Sequence, residues 1–361
     1  MSKYFASKRV PANSSRYFDN QVDAVNQTSG SISLNWDMDR QFFFNIAYNK
    51  NLIKFDSKQN TQVPTDSASS YKNTLRYLLG NKTIESYLKR AKAVIEIGCG
   101  QGELVLSLQS YGVSILGYDS VATSNSPFIR QELFTFQEKG DFYIMRCVLP
   151  HIESPWHFLD ELLQDSNSLV LIEYQDLHFI LNNGLWNRIS HDHVNIFTDR
   201  AFHTKYRVLA SGSVNSEWKY VLVTSIKSNG VSYCPGPHID FPIAMRSLER
   251  QRHNFLQFFL RRDNPLVIYG GAGTGAILSA ELKNLGKKVL FAADIDPGKQ
   301  NLFMEYSGVE IRHPVDILDC SKDVVVIVAN PSHLRFARKF IGKRYCVTTS
   351  IPTKNLKSAE W

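Results

Sequence analysis

The sequence predicts an α/β protein with two consecutive Rossmann-like units, and two glycine-rich turns are the main reason. In each unit a short apolar run of strand length leads directly into closely spaced glycines. A helix-compatible segment and a second apolar run then follow, over residues 93–119 in the first unit and 266–294 in the second. Such alternation of strand and helix is typical of a doubly wound, mostly parallel sheet.

The composition is that of a globular protein with room for two domains. The chain has 361 residues, of which 43% are hydrophobic and 21% charged. A net charge of +7 suits a phosphate-bearing substrate, but the basic residues are spread along the chain, so we expect no nucleic-acid partner. No apolar stretch has the length of a membrane span, and no C-x-x-C pair occurs among the five cysteines. We therefore expect a reduced, cytoplasmic protein without a membrane partner.

The order of predicted elements divides the chain into four parts. An irregular N-terminal extension covers residues 1–70, with apolar exceptions at 31–34 and at 41–47, where Phe42, Phe43 and Phe44 predict core or the underside of a lid. The first unit covers 71–227, a linker rich in glycine and proline covers 228–242, and the second unit covers 243–361. Helices are predicted at 71–90 (broken near Gly80), 102–110, 155–163, 243–262 and 276–285. Strands are predicted at 93–97, 114–118, 141–147, 169–173, 206–210, 220–226, 266–269, 289–293 and 324–328.

The first turn has the spacing E-x-G-x-G-x-G, which starts at Glu96. Glycines at a strand-to-helix turn let the backbone approach a ligand, and Asp119 at the end of the next strand suits ribose hydroxyls. This spacing resembles motif I of the class I methyltransferases and differs from the dinucleotide pattern G-x-G-x-x-G. The resemblance implies S-adenosylmethionine (SAM) as cofactor, bound by Glu96, Gly98, Cys99, Gly100, Gly102 and Asp119. The alternative is a turn in an α/β fold that binds no nucleotide.

The second turn fits the dinucleotide fingerprint, with alanine at the third place. Gly271, Gly273 and Ala276 have the required spacing, and Asp294 follows the next strand. A bound NAD and a tight turn without cofactor are both consistent with these residues.

Several motifs together resemble the SAM-dependent sugar C-methyltransferases. Residues 146–152 (RCVLPHI) are similar to that family's R-x-V-L-E-H-I, 171–173 (LIE) to its I-E strand end, and 190–198 (SHDHVNIFT) to its Y-H-E-H-L-S-Y-F-S. In the second unit, VIYGGAGTG (267–275), ADIDPGKQ (293–300) and VANP (328–331) resemble its C-terminal Rossmann-like domain. The resemblance implies a class I methyltransferase domain followed by a smaller Rossmann-like domain that helps to hold a nucleotide-sugar.

The resemblance also implies roles for individual residues. His193 is the expected base, oriented by Asp192, and His191 is the next candidate. Arg146 and Val148 join the expected SAM site. Expected substrate contacts are Tyr174, Ser190, Gly271, Gly273 and Asp294, and either Ser190 or Tyr174 would stabilise an enolate oxygen.

The chain departs from the family at two places. The region corresponding to the family's N-terminal zinc module, around residues 35–45, holds Asp37 and Arg40 but no cysteine, so we expect no metal. Ser190 and Asp192 replace the family's tyrosine and glutamate. Three interpretations therefore remain: C-methylation of a nucleotide-linked keto-sugar, O-methylation of a sugar or other small-molecule hydroxyl, and nucleotide binding without catalysis.

Overall fold

The computed structural model describes residues 4–56, 58, 71–225 and 239–349. These residues form an N-terminal antiparallel sheet, a seven-stranded mixed sheet and a five-stranded parallel sheet, with helices packed on the two larger sheets. The predicted α/β class with two Rossmann-like units is confirmed.

The N-terminal part is more regular than the sequence predicts. It contains β1 (Phe5–Pro11), β2 (Tyr17–Phe18), α1 (Gln21–Val25), β3 (Ser29–Asp37) and β4 (Phe42–Asn45). β1, β3 and β4 pair antiparallel, so the prediction of a mostly irregular extension is wrong for residues 4–56. The strands lack a clear apolar pattern because some of their serines and asparagines, such as Ser7 and Asn45, are buried and hydrogen-bonded.

The first Rossmann-like unit follows the predicted alternation. Its elements are α2 (Tyr71–Gly80), α3 (Lys82–Arg90), β5 (Val94–Ile97), α4 (Glu103–Ser110), β6 (Ile115–Tyr118), β7 (Ile129–Arg130), β8 (Phe142–Arg146), α5 (Pro155–Leu162), β9 (Leu169–Gln175), α6 (Leu177–Asn182), β10 (Asn195–Phe197), α7 (Asp199–His203), β11 (Arg207–Ser213) and β12 (Trp218–Thr224). The predicted break near Gly80 is confirmed, because the Asn81 side chain caps α3 by accepting from the amides of Thr83 and Ile84.

The strand order of this unit is that of the class I methyltransferase fold. The sheet runs β7-β6-β5-β8-β9-β12-β11, and β12 is antiparallel to both of its neighbours. All the other pairs in this sheet are parallel, so β5, β6, β8 and β9 have their carboxyl ends at one edge. Ligands of such sheets bind at that edge.

The second unit is smaller. It contains α8 (Phe241–Leu260), β13 (Leu266–Tyr269), α9 (Thr274–Asn284), β14 (Val289–Ala293), β15 (Phe303–Met304), β16 (Ile311–Arg312), β17 (Val325–Val328), α10 (Leu334–Ile341) and β18 (Cys346–Thr349). Its five-stranded sheet is parallel throughout, in the order β16-β14-β13-β17-β18.

Most of the predicted linker, residues 228–242, lies outside the described residues. Its last two residues already belong to α8, because Asp240 caps this helix and Pro242 is compatible with a first turn. The predicted helix start at residue 243 is therefore two residues late.

The three parts meet around the segment that precedes β10. β10 belongs to the first unit in sequence but pairs with β4 of the N-terminal sheet. Nearby, Trp186 is fully buried against Phe255 of α8, at 5.4 Å between ring centroids. Residues 186–194, which we call the histidine loop, therefore contact all three parts of the chain. The predicted core role of the phenylalanine cluster is confirmed for Phe42 and Phe43, which are buried.

No helix in the described part of the chain is long and apolar enough to cross a bilayer.

Candidate functional site

The backbone of the first glycine turn is accessible because glycines, which have no side chain, occupy the positions where the chain bends. Gly98, directly after β5, has a φ of +70°, and a Cβ atom there would lie 2.3 Å from Cγ2 of Val148. Gly102 has a φ of +86° and is the N-cap of α4. L-residues rarely adopt this left-handed conformation, so glycine is required here. The turn thus presents main-chain amides at the start of a helix, as the sequence predicts.

The carboxylate of Asp119 holds this turn. Its two oxygens accept hydrogen bonds from the amides of Gly100 (2.8 Å) and Val121 (3.0 Å). Burial raises the pKa of Asp119, although both amide bonds oppose this shift. The predicted cofactor residues Gly98, Gly100, Gly102 and Asp119 are therefore brought together at one sheet edge. Cys99, also predicted, is buried beneath the turn against Gly117.

A buried charge cluster lies under the same edge. Arg146 Nη1 is 3.5 Å from Glu96 Oε1, and Arg146 Nε is 3.5 Å from Glu173 Oε2. Thr74 and Tyr77 of α2 donate to the other oxygen of Glu173, at 2.6 and 2.7 Å. The structure thus places Glu96 and Arg146 in a network that fastens α2 to the sheet.

This cluster holds two carboxylates and one guanidinium. Burial raises the pKa of Glu96 to about 8, and the charge of Arg146 offsets only part of this effect. Burial in this cluster therefore favours the protonated form of Glu96.

The histidine loop brings two imidazoles together. The ring of His193 packs edge-on against that of His151, with 4.6 Å between the centroids and 72° between the planes. His151 Nδ1 lies 2.7 Å from the carbonyl oxygen of Asp192, so Nδ1 carries the proton and Nε2 is unprotonated in neutral His151. Burial and the charge of His151 lower the pKa of His193 to about 4, so His193 is neutral at pH 7.

Asp192 is buried and is held by the N-terminal part. Its Oδ2 accepts from the amide (3.3 Å) and the hydroxyl (3.2 Å) of Ser14. Burial alone would raise the pKa of Asp192, but His193, His151 and the hydroxyl of the buried Ser190 bring that pKa below its usual range. Asp192 is thus a buried carboxylate beside two histidines.

His191 has a different environment from His193. It is fully buried, and its Nδ1 lies 2.7 Å from the carbonyl oxygen of Ser31 in β3. Its Nε2 lies 3.4 Å from the amide of Asn49, and its ring stacks on Tyr48. Both nitrogens therefore serve to hold the loop on the N-terminal sheet.

Tyr174 is also engaged in structure. Its hydroxyl is 3.1 Å from Asp199 Oδ1, and its ring packs on Phe202 in the core of the first unit. As a predicted substrate contact it remains an expectation.

The second unit repeats the geometry of the first. Asp294, directly after β14, accepts from the amides of Gly271 (2.8 Å) and Asp296 (2.9 Å). Gly273 is the N-cap of α9, as Gly102 is of α4. The predicted residues Gly271, Gly273 and Asp294 therefore form a second turn of the same construction.

A short N-terminal segment connects the histidine loop with the second unit. Ser14 binds Asp192, while Arg16 pairs with Asp56 (2.7 Å) and with Glu305 (3.1 Å) of the second unit. Three residues after Ser14, Tyr17 is buried in the strand pair β2–β15, and the charge of Asp294 adds to burial in raising the pKa of its phenol.

Several of these residues are missing from the sequence-based site. His151 follows β8 at the sheet edge where ligands of this fold bind, but its contact with His193 depends on the position of the histidine loop. Thr74 and Tyr77 lie three positions apart on the apolar face of α2, and this placement is the only signal that marks them. Ser14 and Arg16 carry no local signal, because their partners are 178 and 289 positions away.

Comparisons with known proteins agree with this fold. Residues 71–205 match a family model described as a methyltransferase domain. No curated protein matches the chain. Similar solved structures include the PH0226 protein from Pyrococcus horikoshii OT3, which is 16% identical over 45% of this chain and 96% of that chain, with a TM-score of 0.33.

Two further similar solved structures are methyltransferases. Magnesium protoporphyrin IX methyltransferase from Synechocystis PCC 6803, with bound S-adenosylhomocysteine, is 14% identical over 47% of this chain and 91% of that chain, with a TM-score of 0.35. The 1,6-didemethyltoxoflavin-N1-methyltransferase from Burkholderia thailandensis is 11% identical over 45% and 80%, with a TM-score of 0.32.

The family model covers most of the first Rossmann-like unit, including the helices α2 and α3, the glycine turn with Asp119, and the histidine loop. Residues 71–205 are thus a SAM-dependent methyltransferase domain with the class I fold.

Proposed function

We propose that this enzyme methylates a carbon of a nucleotide-linked keto-sugar and that His193 is the base. The observation that carries the proposal is a neutral His193 whose ring packs on His151 and which feels the charge of the Asp192 carboxylate. His151 ends the 3-10 helix Leu149–His151, which directly follows Val148, the residue that packs at Gly98 of the glycine turn.

Carbon methylation at this site needs an acidic α-proton and a base. His193 accepts that proton through a ring nitrogen, and the electron pair of the C–H bond becomes the enolate carbon nucleophile. Bound SAM would supply an electrophilic methyl group on its sulfonium, with S-adenosylhomocysteine as the leaving group. The imidazolium formed on His193 is stabilised by the nearby Asp192 carboxylate and returns its proton to water.

The low pKa of His193 has a consequence for this chemistry. A weak base removes a proton slowly from an ordinary carbon acid, so the substrate must bring its own acidifying group. A ketone next to the reacting carbon meets this requirement, and a donor aimed at its oxygen would lower the barrier further. Ser190, buried next to Asp192, supplies a hydroxyl in this region.

The geometry of the second unit supports the proposal that the other half of the substrate is a nucleotide. Asp294 and Gly271 repeat the arrangement of Asp119 and Gly100, and an acid at this position suits ribose hydroxyls. The segment 14–17 contacts both halves of the proposed site, because Ser14 binds Asp192 of the histidine loop and Arg16 pairs with Glu305 of the second unit.

The test is α-proton exchange in D2O without methyl transfer. The full chain is incubated with S-adenosylhomocysteine and each of a set of nucleoside-diphosphate 4-keto-6-deoxy-sugars, and loss of the α-proton signal is followed by NMR. We expect exchange with at least one sugar and at least a hundredfold slower exchange for His193→Gln. An Asp294→Asn variant should require more nucleotide-sugar for the same rate while retaining the maximal rate.

The other interpretations give different results. Methyl transfer from SAM without α-proton exchange would favour O-methylation. Binding of S-adenosylhomocysteine without either exchange or transfer for any sugar would favour a nucleotide-binding protein. Full exchange in His193→Gln would remove His193 as the base.

A further inference from the structure

The second unit carries a concentrated positive charge that the proposed catalysis does not use. Five cations lie within ten residues: Arg335, Arg338, Lys339, Lys343 and Arg344. The sequence contains no acidic residue between 324 and 349, so this stretch accounts for five of the chain's net seven positive charges. All five side chains are exposed. The charge excess is therefore partly localised, and not evenly spread as the composition suggests.

These cations have no acidic partner in the described part of the chain. None of them lies within 4.0 Å of a carboxylate there, whereas other surface cations, such as Lys89 and Lys205, do. Arg344 lies over the ring of its neighbour Tyr345, at 5.3 Å from the ring centroid. Unpaired charge of one sign attracts an anionic partner over a Debye length of about 8–10 Å at physiological salt.

Two phenylalanines share this surface. Phe336 and Phe340 are four positions apart on α10, one turn along the same side of the helix, and are 56% and 39% exposed. The opposite side of α10 is buried through Ala337 and Ile341 in the core of the second unit. Two neighbouring aromatic side chains with this exposure form an apolar patch. Such patches are more typical of interaction sites than single exposed apolar residues are.

The position of α10 leaves this face uncovered by the described chain. α10 connects β17 to β18 and packs in the core formed by Val267, Phe291, Val326 and Val328. The alternate residues of the same strands, such as Ile268 and Ile327, face the core shared with α8, α9 and the N-terminal sheet. The exposed face of α10 therefore points away from the methyltransferase domain.

We propose that the face formed by Arg335, Phe336, Lys339 and Phe340, together with the following Lys343 and Arg344, binds the surface of a bilayer that contains anionic lipids. Exposed aromatic rings beside cations on one helix face suit the boundary between lipid headgroups and acyl chains. The cations attract the anionic headgroups, and the rings enter the boundary. A second copy of the chain is a poor occupant, because two such faces repel each other. This contact is peripheral and requires no membrane span.

The test is co-sedimentation of the full chain with sucrose-loaded vesicles. Vesicles of phosphatidylcholine alone are compared with vesicles that contain 30% phosphatidylglycerol. We expect binding only to the anionic vesicles, and at least tenfold weaker partitioning after a threefold increase in salt concentration.

Two double variants separate the two contributions. Phe336→Ser/Phe340→Ser removes the rings and Arg335→Gln/Lys339→Gln removes two charges, and we expect each to lower partitioning at least fivefold. The matched controls are Tyr111→Ser, an aromatic residue that is 61% exposed on the first unit, and Lys92→Gln/Arg207→Gln. These controls should bind like the unchanged chain, and all variants should keep its thermal unfolding midpoint within about two degrees.

Three results would overturn the proposal. Equal sedimentation with neutral and anionic vesicles would remove the electrostatic part. Unchanged binding in both α10 variants would place the contact elsewhere. Failure to bind anionic vesicles, combined with salt-dependent binding of a single-stranded oligonucleotide, would assign the face to nucleic acid instead.

Discussion

The carboxylate of Asp119 accepts a hydrogen bond from the amide of Gly100 at 2.8 Å, and Asp294 accepts from Gly271 at the same distance. In both cases the second carboxylate oxygen binds the amide two residues further along the chain. The two units therefore use one construction, in which the acid after the second strand holds the glycine turn after the first. This shared geometry relates the candidate SAM site to the second, proposed nucleotide site.

The glycine requirement in the first turn has a matched control in the chain. Gly98→Ala places a Cβ atom 2.3 Å from Val148 at a φ of +70°, whereas Gly112→Ala has a φ of +80° and no atom within 4 Å. We expect Gly112→Ala to cost about 1–2 kcal/mol in unfolding free energy, from backbone strain alone. Gly98→Ala should cost about 1–3 kcal/mol more through overpacking. Urea denaturation of both variants measures the difference, and equal costs would contradict the steric argument.

The buried Glu96 predicts a pH dependence of stability. Its pKa is raised to about 8 in the fold and is near 4.5 when exposed, so the folded chain binds the extra proton between these pH values. Unfolding free energy should therefore fall as pH rises from about 5 to 8, by up to about 1.4 kcal/mol per pH unit from this group. Glu96→Gln removes this contribution, and the exposed Glu132→Gln serves as control. A constant difference between the unchanged chain and Glu96→Gln over this range would refute the assignment.

The two imidazoles of the site predict a coupled titration. The pKa of His193 is lowered to about 4 by burial and by the charge of His151, so protonation of His193 opposes folding. Stability from this group is present above about pH 6.5 and is lost as pH falls towards 4. In His151→Gln the pKa of His193 should rise, whereas in His313→Gln, which changes an exposed histidine of the second unit, it should not. NMR titration of the histidine Cε1–H signals measures both, and an unshifted His193 in His151→Gln would contradict the coupling.

His191 is expected to position the loop without touching substrate. Gly30 of β3 supports its ring so closely that an added Cβ would lie 2.4 Å from Cγ of His191. Gly30→Ala should therefore cost about 1–3 kcal/mol in unfolding free energy and slow α-proton exchange. S-adenosylhomocysteine binding should be retained. Gly80→Ala, where an added Cβ meets no atom within 4 Å, is the matched control for stability. Normal exchange in Gly30→Ala would show that the loop tolerates displacement of His191.

Features that depend on neighbouring residues were predictable from the sequence. The spacing of Gly98, Gly100 and Gly102 after an apolar run specifies the turn, and the acid one helix and one strand later follows from the same pattern. The central strands of both Rossmann-like units were predictable, because parallel strands buried on both faces are continuous apolar runs. The short strands β7, β10, β15 and β16 and the edge strand β18 were not predicted.

Features that depend on distant contacts were not predictable. His191 and His193 are the same residue type two positions apart, yet one binds Ser31 of the N-terminal sheet and the other packs on His151. Which histidine faces the site is decided by pairing of β10 with β4, far apart in sequence. The N-terminal strands are not predictable because some of their polar residues point inward and are hydrogen-bonded there. Ser7, for example, donates to Glu281 at 2.6 Å.

The most direct test of the central claim is a calorimetric titration of S-adenosylhomocysteine into the full chain, Asp119→Asn and Asp294→Asn. The account predicts one site in the unchanged chain, at least tenfold weaker binding in Asp119→Asn, and unchanged binding in Asp294→Asn. Loss of binding in Asp294→Asn with Asp119→Asn unaffected would move the cofactor to the second unit and contradict the account.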